Sequence, residues 1–152
     1  GELHLARKDG AVFAIIVPAV APDGYSGAIN MIVGINLNGD VAGVRVLNHS
    51  ETPGLGDKVE LKKSPWVLSF DGKSLGAPPL VRWKVKKDKG DFDQFTGATI
   101  TPRAVVAQVA STLHYFGEDK NRILKASRIK KPSNAETNSA EQVEENKQGD
   151  KP

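Results

Sequence analysis

Two short segments hold the residues whose types and spacing could do chemistry. The first is Asp93-Gln94-Phe95-Thr96-Gly97-Ala98-Thr99-Ile100-Thr101-Pro102, where small and hydroxyl-bearing residues run straight into an expected helix start. A helix N-terminus presents unpaired N–H groups and roughly half a positive charge, which suits an anion such as a phosphate near Thr99. Arg103, in the first turn, opposes the helix dipole by itself but could pair with a bound phosphate. The second segment is Glu51-Thr52-Pro53-Gly54-Leu55-Gly56. Pro53 fixes one φ, the glycines let the backbone approach a ligand or turn tightly, and Glu51 and Thr52 add hydrogen-bonding groups. On spacing alone, the first segment also reads as an ordinary capped helix start and the second as an ordinary turn.

Other chemistries find little support. The 152 residues include no Cys, which removes thiolate catalysis, iron–sulfur ligation and disulfides. His4, His49 and His114 lie far apart with no metal-ligand spacing, and Asp88, Asp91 and Asp93 do not fit a calcium loop, so no metal site is expected. No nucleophile-elbow pattern places a serine. Trp66, Trp83 and Tyr25 read as core or rim aromatics rather than stacking platforms. The formal net charge of +3 is uneven. Residues 132–152 hold two Lys and five acids, a net of −3, which leaves 19 − 13 = +6 on the remainder. A basic body suits nucleic acid, anionic lipid or an acidic partner, but no aromatic-plus-basic pattern supports nucleic acid.

The elements that must position these segments form an α+β pattern: one small domain over residues 1–131, an antiparallel sheet with packed helices. Ala11 to Val17 reads as a buried strand, with a helix continuing from the N-terminus as the alternative. Ile29, Met31, Val33, Ile35 and Leu37 alternate into Asn38-Gly39, expected as a two-residue type I′ turn, and Val41 to Leu47 returns. Val81 to Lys86 alternates again and is expected as a further strand. Ser64 and Pro65 open a short helix, as N-cap and first helical residue. A stronger helix is expected with Thr101 as cap, Pro102 first, Val105, Val106, Val109, Leu113 and Phe116 on one face, and Gly117 at its end. From Pro132 on, the acidic tail has too few apolar residues to fold and is expected to be disordered. The longest apolar stretch, Ala11 to Val20, is far too short to span a bilayer, and nothing near Gly1 reads as a signal peptide. A start at Gly1 suggests a processed or engineered fragment whose N-terminal membrane anchor could have been removed.

Taken together, Gly24-Tyr25-Ser26-Gly27, the hairpin with Asn38-Gly39-Asp40, Glu51 to Gly56 and Asp93 to Thr99 resemble the FMN-binding domain of the G subunit of the Rnf (Rsx) ion-translocating electron-transport complex. The resemblance covers roughly residues 5–125 and excludes the acidic tail. It implies one FMN per chain, joined covalently by a phosphoester to Thr99, the last Thr of the Asp-x-x-(Ser/Thr)-Gly-Ala-Thr pattern. A flavin transferase would form that bond from FAD with magnesium. Thr96, Gly97, Ala98 and Thr101 would surround the phosphate, and Glu51, Thr52, Gly54, Leu55 and Gly56 would lie along the flavin. The resemblance further implies an N-terminal membrane anchor, a periplasmic location, the rest of the Rnf complex as partner, and electron relay with no catalysis by the domain alone. The C subunit of the sodium-translocating NADH:quinone reductase shares both motifs and is the nearest alternative. A cofactor-free interaction module is the alternative of another class.

Overall fold

The structure, a computed structural model, describes residues 2–130, with side chains as far as Ile123; the expected tail lies outside the described residues. Four strands form an antiparallel meander: β1 (His4–Lys8), β2 (Ala11–Gly24), β3 (Gly27–Asn36) and β4 (Val41–Asn48), in that order across the sheet. Alternation decides which face is buried. Ile15 and Val17 on β2, Ile29, Met31, Val33 and Ile35 on β3, and Val41 and Val44 on β4 all point to one side. The long helix α1 (Ile100–Lys130) covers that side, chiefly over β2, through Val105, Val106, Val109, Leu113 and Phe116. Pro18 is tolerated within β2 because pairing with β1 stops at Ile16, so this stretch of β2 is an edge.

The two-residue turn with both φ values positive lies elsewhere than expected. It is Asp9-Gly10, with φ of 53° and 81°, joining β1 to β2. Between β3 and β4, the Asn36 amide donates to Asp40 O (2.8 Å) and the Gly39 amide to Asn36 O (2.8 Å), enclosing a three-residue loop. Asn38 keeps a negative φ and works through its side chain, whose Oδ1 accepts from the Asp40 amide at 3.0 Å.

Residues 49–99 run in short 3-10 turns and add an aromatic cluster that is continuous with the sheet–helix core. Trp66, Phe70, Trp83, Phe92 and Phe95 meet with ring centroids 4.9–6.2 Å apart. The short helix at Pro65–Phe70 forms as expected in type and cap, with Ser64 Oγ accepting from the Trp66 amide, although its geometry is 3-10. The expected strand over Val81 to Lys86 does not form. Trp83 and Val85 do point inward, but Pro78 and Pro79 precede them, and the only pairing alongside among the described residues is an isolated parallel bridge from Val85 to Phe92. The segment coils instead through 3-10 turns at Leu80–Arg82 and Lys86–Asp88, and Trp83 Nε1 donates to Ser74 O and Pro78 O, each at 2.9 Å.

The helix boundaries also move. The helix begins at Ile100, so Thr101 is its second residue rather than its cap, and Thr99 O accepts from the Arg103 amide at 3.1 Å. Gly117 does not end it. A glycine inside a helix costs only about 1 kcal/mol, and the buried Ile123 extends the apolar face beyond it.

Candidate functional site

Three loops meet at the N-terminus of α1: the Tyr25-Ser26 connection between β2 and β3, residues 52–56 after β4, and residues 97–101. They enclose a cleft of about 370 Å³, lined by Tyr25, Thr52, Leu55, Gly56, Gly97, Ala98, Thr99, Ile100 and Thr101. That size falls within the range of small-ligand sites.

Glu51 holds the loops together. It is 4% exposed, and its Oε1 accepts from the Tyr25 amide and its Oε2 from the Ser26 amide, both at 2.9 Å. Oε1 also accepts from the Thr101 hydroxyl, which ties the β2–β3 turn to the first turn of α1. The Glu51 amide in turn donates to His49 Nδ1 at 2.9 Å. His49 Nε2 faces Glu60 Oε2 at 2.6 Å, and with Nδ1 accepting, it is Nε2 that carries the proton toward Glu60. Gly56 lets the second loop lie against the helix, since a Cβ there would sit 2.7 Å from Thr101 Oγ1 and 2.9 Å from Glu51 Cβ. The Asp57 carboxylate braces the same loop by accepting from the Gly54 amide at 2.9 Å.

Of the expected site residues, Thr52, Leu55, Gly56, Gly97, Ala98, Thr99 and Thr101 come together around the cleft. Glu51 lies behind the wall as its brace, while Gly54 and Thr96 are exposed and outside the lining. Tyr25 and Ile100 are the lining residues that sequence reasoning missed as site residues. Tyr25 is 68% exposed and lies at the rim of the cleft, and a large aromatic between Gly24 and Ser26-Gly27 at a strand end was the available signal. With Leu55 and Ile100 it gives the mouth an exposed apolar border.

The three threonines of the segment differ in what their hydroxyls are free to do. The Thr101 side chain is buried, and its hydroxyl is committed to Glu51. Thr96 is exposed and outside the lining. Thr99 is half-buried at the cleft, and its hydroxyl has no protein hydrogen-bond partner among the described residues. The first turn of α1 contains no acidic residue of its own, and the Glu51 carboxylate meets it only from behind, through Thr101. Arg103 does not reach toward the cleft as a free cation. It forms a two-pronged pair with Asp88 (2.7 and 3.1 Å), which holds the Asp88 carboxyl below its ordinary range and the guanidinium above its own. Asp91 and Asp93 pair with Arg82 (2.6 Å) and Lys86 (2.8 Å), and no cluster of metal-ligating side chains occurs among the described residues.

A meander sheet, one long helix and an anion-favouring cleft with an apolar mouth define a small cofactor-carrier domain. The chain belongs to the FMN-binding domain family, whose model matches residues 24–114. It is 58% identical over 121 residues to the G subunit of the ion-translocating oxidoreductase complex of Pseudomonas aeruginosa, covering 80% of this chain and 56% of that one. The G subunit of the same complex from Shewanella loihica is 53% identical over 133 residues, covering 88% of this chain and 60% of that one. The chain thus spans little more than half the length of these relatives. The crystal structure of Shewanella oneidensis NqrC has the same fold, with a TM-score of 0.62 at 27% identity over 82% of this chain and 61% of that one. The residues present fit FMN: neutral hydroxyls and a helix end suit its phosphate, and the border of Tyr25, Leu55 and Ile100 suits a flat aromatic ring.

Proposed function

We propose that this chain is the FMN-carrying domain of a G subunit, relaying electrons within a membrane-bound ion-translocating oxidoreductase complex, with FMN joined through its phosphate to Thr99. The observation that carries the attachment point is the inequality among the threonines of residues 96–101, of which Thr99 alone combines a place on the cleft with an uncommitted hydroxyl among the described residues; Thr52, which also lines the cleft, lies on the 52–56 loop and not at the helix N-terminus. A flavin transferase supplies the linkage from FAD with magnesium. Thr99 Oγ takes the place of AMP on phosphorus, one P–O bond forming for one broken, with the hydroxyl proton passing to the transferase.

When bound, the flavin supplies the uptake and release of one or two electrons. The chain's own residues position it. The α1 N-terminus would offset the phosphodiester charge, the Glu51 brace fixes the two loops across the cleft, and Tyr25, Leu55 and Ile100 would offer apolar surface to the ring. No general acid or base is required of this domain. Attachment by a covalent bond keeps a relay flavin from being lost between turnovers.

The rest of the Rnf complex is its partner in this reading. A membrane anchor N-terminal to this chain and a periplasmic placement belong to the same proposal, which the similarity to the two G subunits supports. No helix among the described residues is long and apolar enough to cross a membrane. The C subunit of the sodium-translocating NADH:quinone reductase is the weaker alternative, given 27% identity to the NqrC structure against 58% to a G subunit.

Co-expression with a flavin transferase tests the attachment. The intact mass gains one FMN, the adduct maps to the peptide holding Thr99, and Thr99→Val abolishes it with the fold unchanged. A Thr99→Val protein that stays yellow and keeps its flavin through denaturation refutes the assignment. A wild-type chain that takes up no flavin, bound or covalent, leaves the interaction-module reading in its place.

A further inference from the structure

The lobe that failed to form a strand carries a surface the flavin site does not use. Leu80 and Val81 sit side by side on the 3-10 turn after Pro78-Pro79, and are 56% and 69% exposed. The lobe is held from beneath by Trp83, Val85 and Phe92, so this apolar pair is presented on a packed base. The chain that follows within the same lobe carries Arg82, Lys84, Lys86, Lys87 and Lys89, all exposed. The three local acids are already engaged: Asp91 with Arg82, Asp93 with Lys86, and Asp88 with Arg103 of α1. Lys84, Lys87 and Lys89 are exposed and form no ion pair within 4 Å among the described residues, although Lys84 and Lys87 lie near enough to Asp88 to act on its charge.

We infer that this lobe, Leu80 and Val81 with Lys84, Lys87 and Lys89, docks on an anionic lipid surface. Two adjacent aliphatics at a turn match shallow insertion at the headgroup boundary, and lysine stems lie along apolar surface while their charged ends reach phosphate. A protein partner is the poorer match. Protein interfaces favour Arg, Tyr and Trp and disfavour Lys, whereas here the arginines are locked in ion pairs and the aromatics of the lobe are buried. The Arg103–Asp88 pair joins the lobe to the first turn of α1, so docking would set the cleft at a fixed height above the lipid. The inference does not depend on the flavin.

The test is sedimentation of the chain with vesicles of about 30% phosphatidylglycerol in phosphatidylethanolamine, against vesicles of phosphatidylcholine alone. Binding to the anionic vesicles only, weakening as salt is raised, is expected. Lys84→Gln, Lys87→Gln and Lys89→Gln each weaken it about fivefold, the equivalent of about 1 kcal/mol per lysine near such a surface. Leu80→Ser with Val81→Ser weakens it about tenfold or more by removing the inserted pair. All five positions are exposed, and thermal melts confirm that the variants fold. A control matched in charge to those three substitutions made together, Lys8→Gln with Lys62→Gln and Lys120→Gln, stays within about twofold of the unaltered chain. No binding at low salt, binding indifferent to Leu80 and Val81, or equal loss in the control each overturns the inference. The last outcome would assign the attraction to the basic body as a whole.

Discussion

Replacing Glu51 with glutamine removes one charge and one acceptor while keeping the side chain's shape. In the native site Oε1 accepts from the Tyr25 amide and the Thr101 hydroxyl, and Oε2 accepts from the Ser26 amide. A glutamine whose oxygen takes the place of Oε1 keeps the first two bonds in weakened, uncharged form. Its NH2 group then faces the Ser26 N–H, donor against donor. Hydrogen bonds to a charged group contribute about 1.5–3 kcal/mol each, and a buried donor left unpaired costs about 1–3 kcal/mol. One bond lost and two weakened amount to about 3–4 kcal/mol, and relief from burying a carboxylate returns part of that. The net expectation for Glu51→Gln is about 2 kcal/mol of lost stability, or a Tm lower by about 8 °C in a domain of this size. Urea unfolding followed by the fluorescence of Trp66 and Trp83 reads the first quantity, and differential scanning calorimetry the second. The same variant, still folded at 25 °C, should accept less flavin from the transferase, because Glu51 sets the Tyr25 loop and the first turn of α1 in register. A Glu51→Gln protein within about 0.5 kcal/mol of the unaltered chain would refute the reasoning, since it would mean the three bonds merely replace bonds to water.

Three further perturbations separate the other forces. Gly56→Ala drives a methyl into Thr101 Oγ1 and Glu51 Cβ, and should cost about 1–3 kcal/mol in urea melts; an unchanged midpoint would mean the two loops can part at no cost. Gly117→Ala is expected to stabilise by about 0.5–1 kcal/mol, because an added Cβ meets nothing within 4 Å inside a continuing helix; destabilisation in the same melt would contradict the helix running through this position. For Asp88→Asn the expectation is a change with pH. Arg103 depresses the folded-state pKa of Asp88, so the pair's contribution is complete above the unfolded carboxyl value of about 3.9. It fades as pH falls through that range and is gone below the depressed folded value. The Tm gap between the two proteins should therefore be open at neutral pH, close in acid and narrow with added salt. A gap that persists unchanged into strong acid would contradict the ion pair as its source.

Periodicity carried the sheet and the helix because burial is a local property of alternation. Ile29 to Ile35 and Val105 to Phe116 face the same core, and each pattern could be read before the other was placed. The Val81 to Lys86 error has the same root. Trp83 and Val85 do alternate inward, but a strand also needs a ladder of paired residues, and here the pairing stops at one bridge between Val85 and Phe92, with two prolines just upstream. The turn chemistry was misassigned for a related reason. Asn38-Gly39 carries the composition of a type I′ turn, yet the strands close one residue further out, and it is Asp9-Gly10 that needs two positive φ values. Gly117 marked no boundary because a single glycine cannot outweigh the packing that continues to Ile123.

The candidate site was legible as two motifs but not as a division of labour between them. Thr99 and Thr101 share a residue type and both reach the cleft wall, but Thr99 precedes the helix while Thr101 lies in its first turn, within reach of Glu51. One is therefore left at the cleft while the other is drawn back to Glu51. From sequence, Glu51 looks like a ligand-facing carboxylate. From structure, a negative charge facing the cleft would repel the phosphate that the helix end attracts, and its three hydrogen bonds turn it away from that position. The same carboxylate compensates the first turn from behind, so the loop geometry is set without an acid in the mouth. This explains why the acidic residue heads the segment 51–56 rather than sitting within it: at position 51 it is close enough to brace Thr101, and the chain that follows supplies only Thr52, Leu55 and Gly56 to the cleft wall.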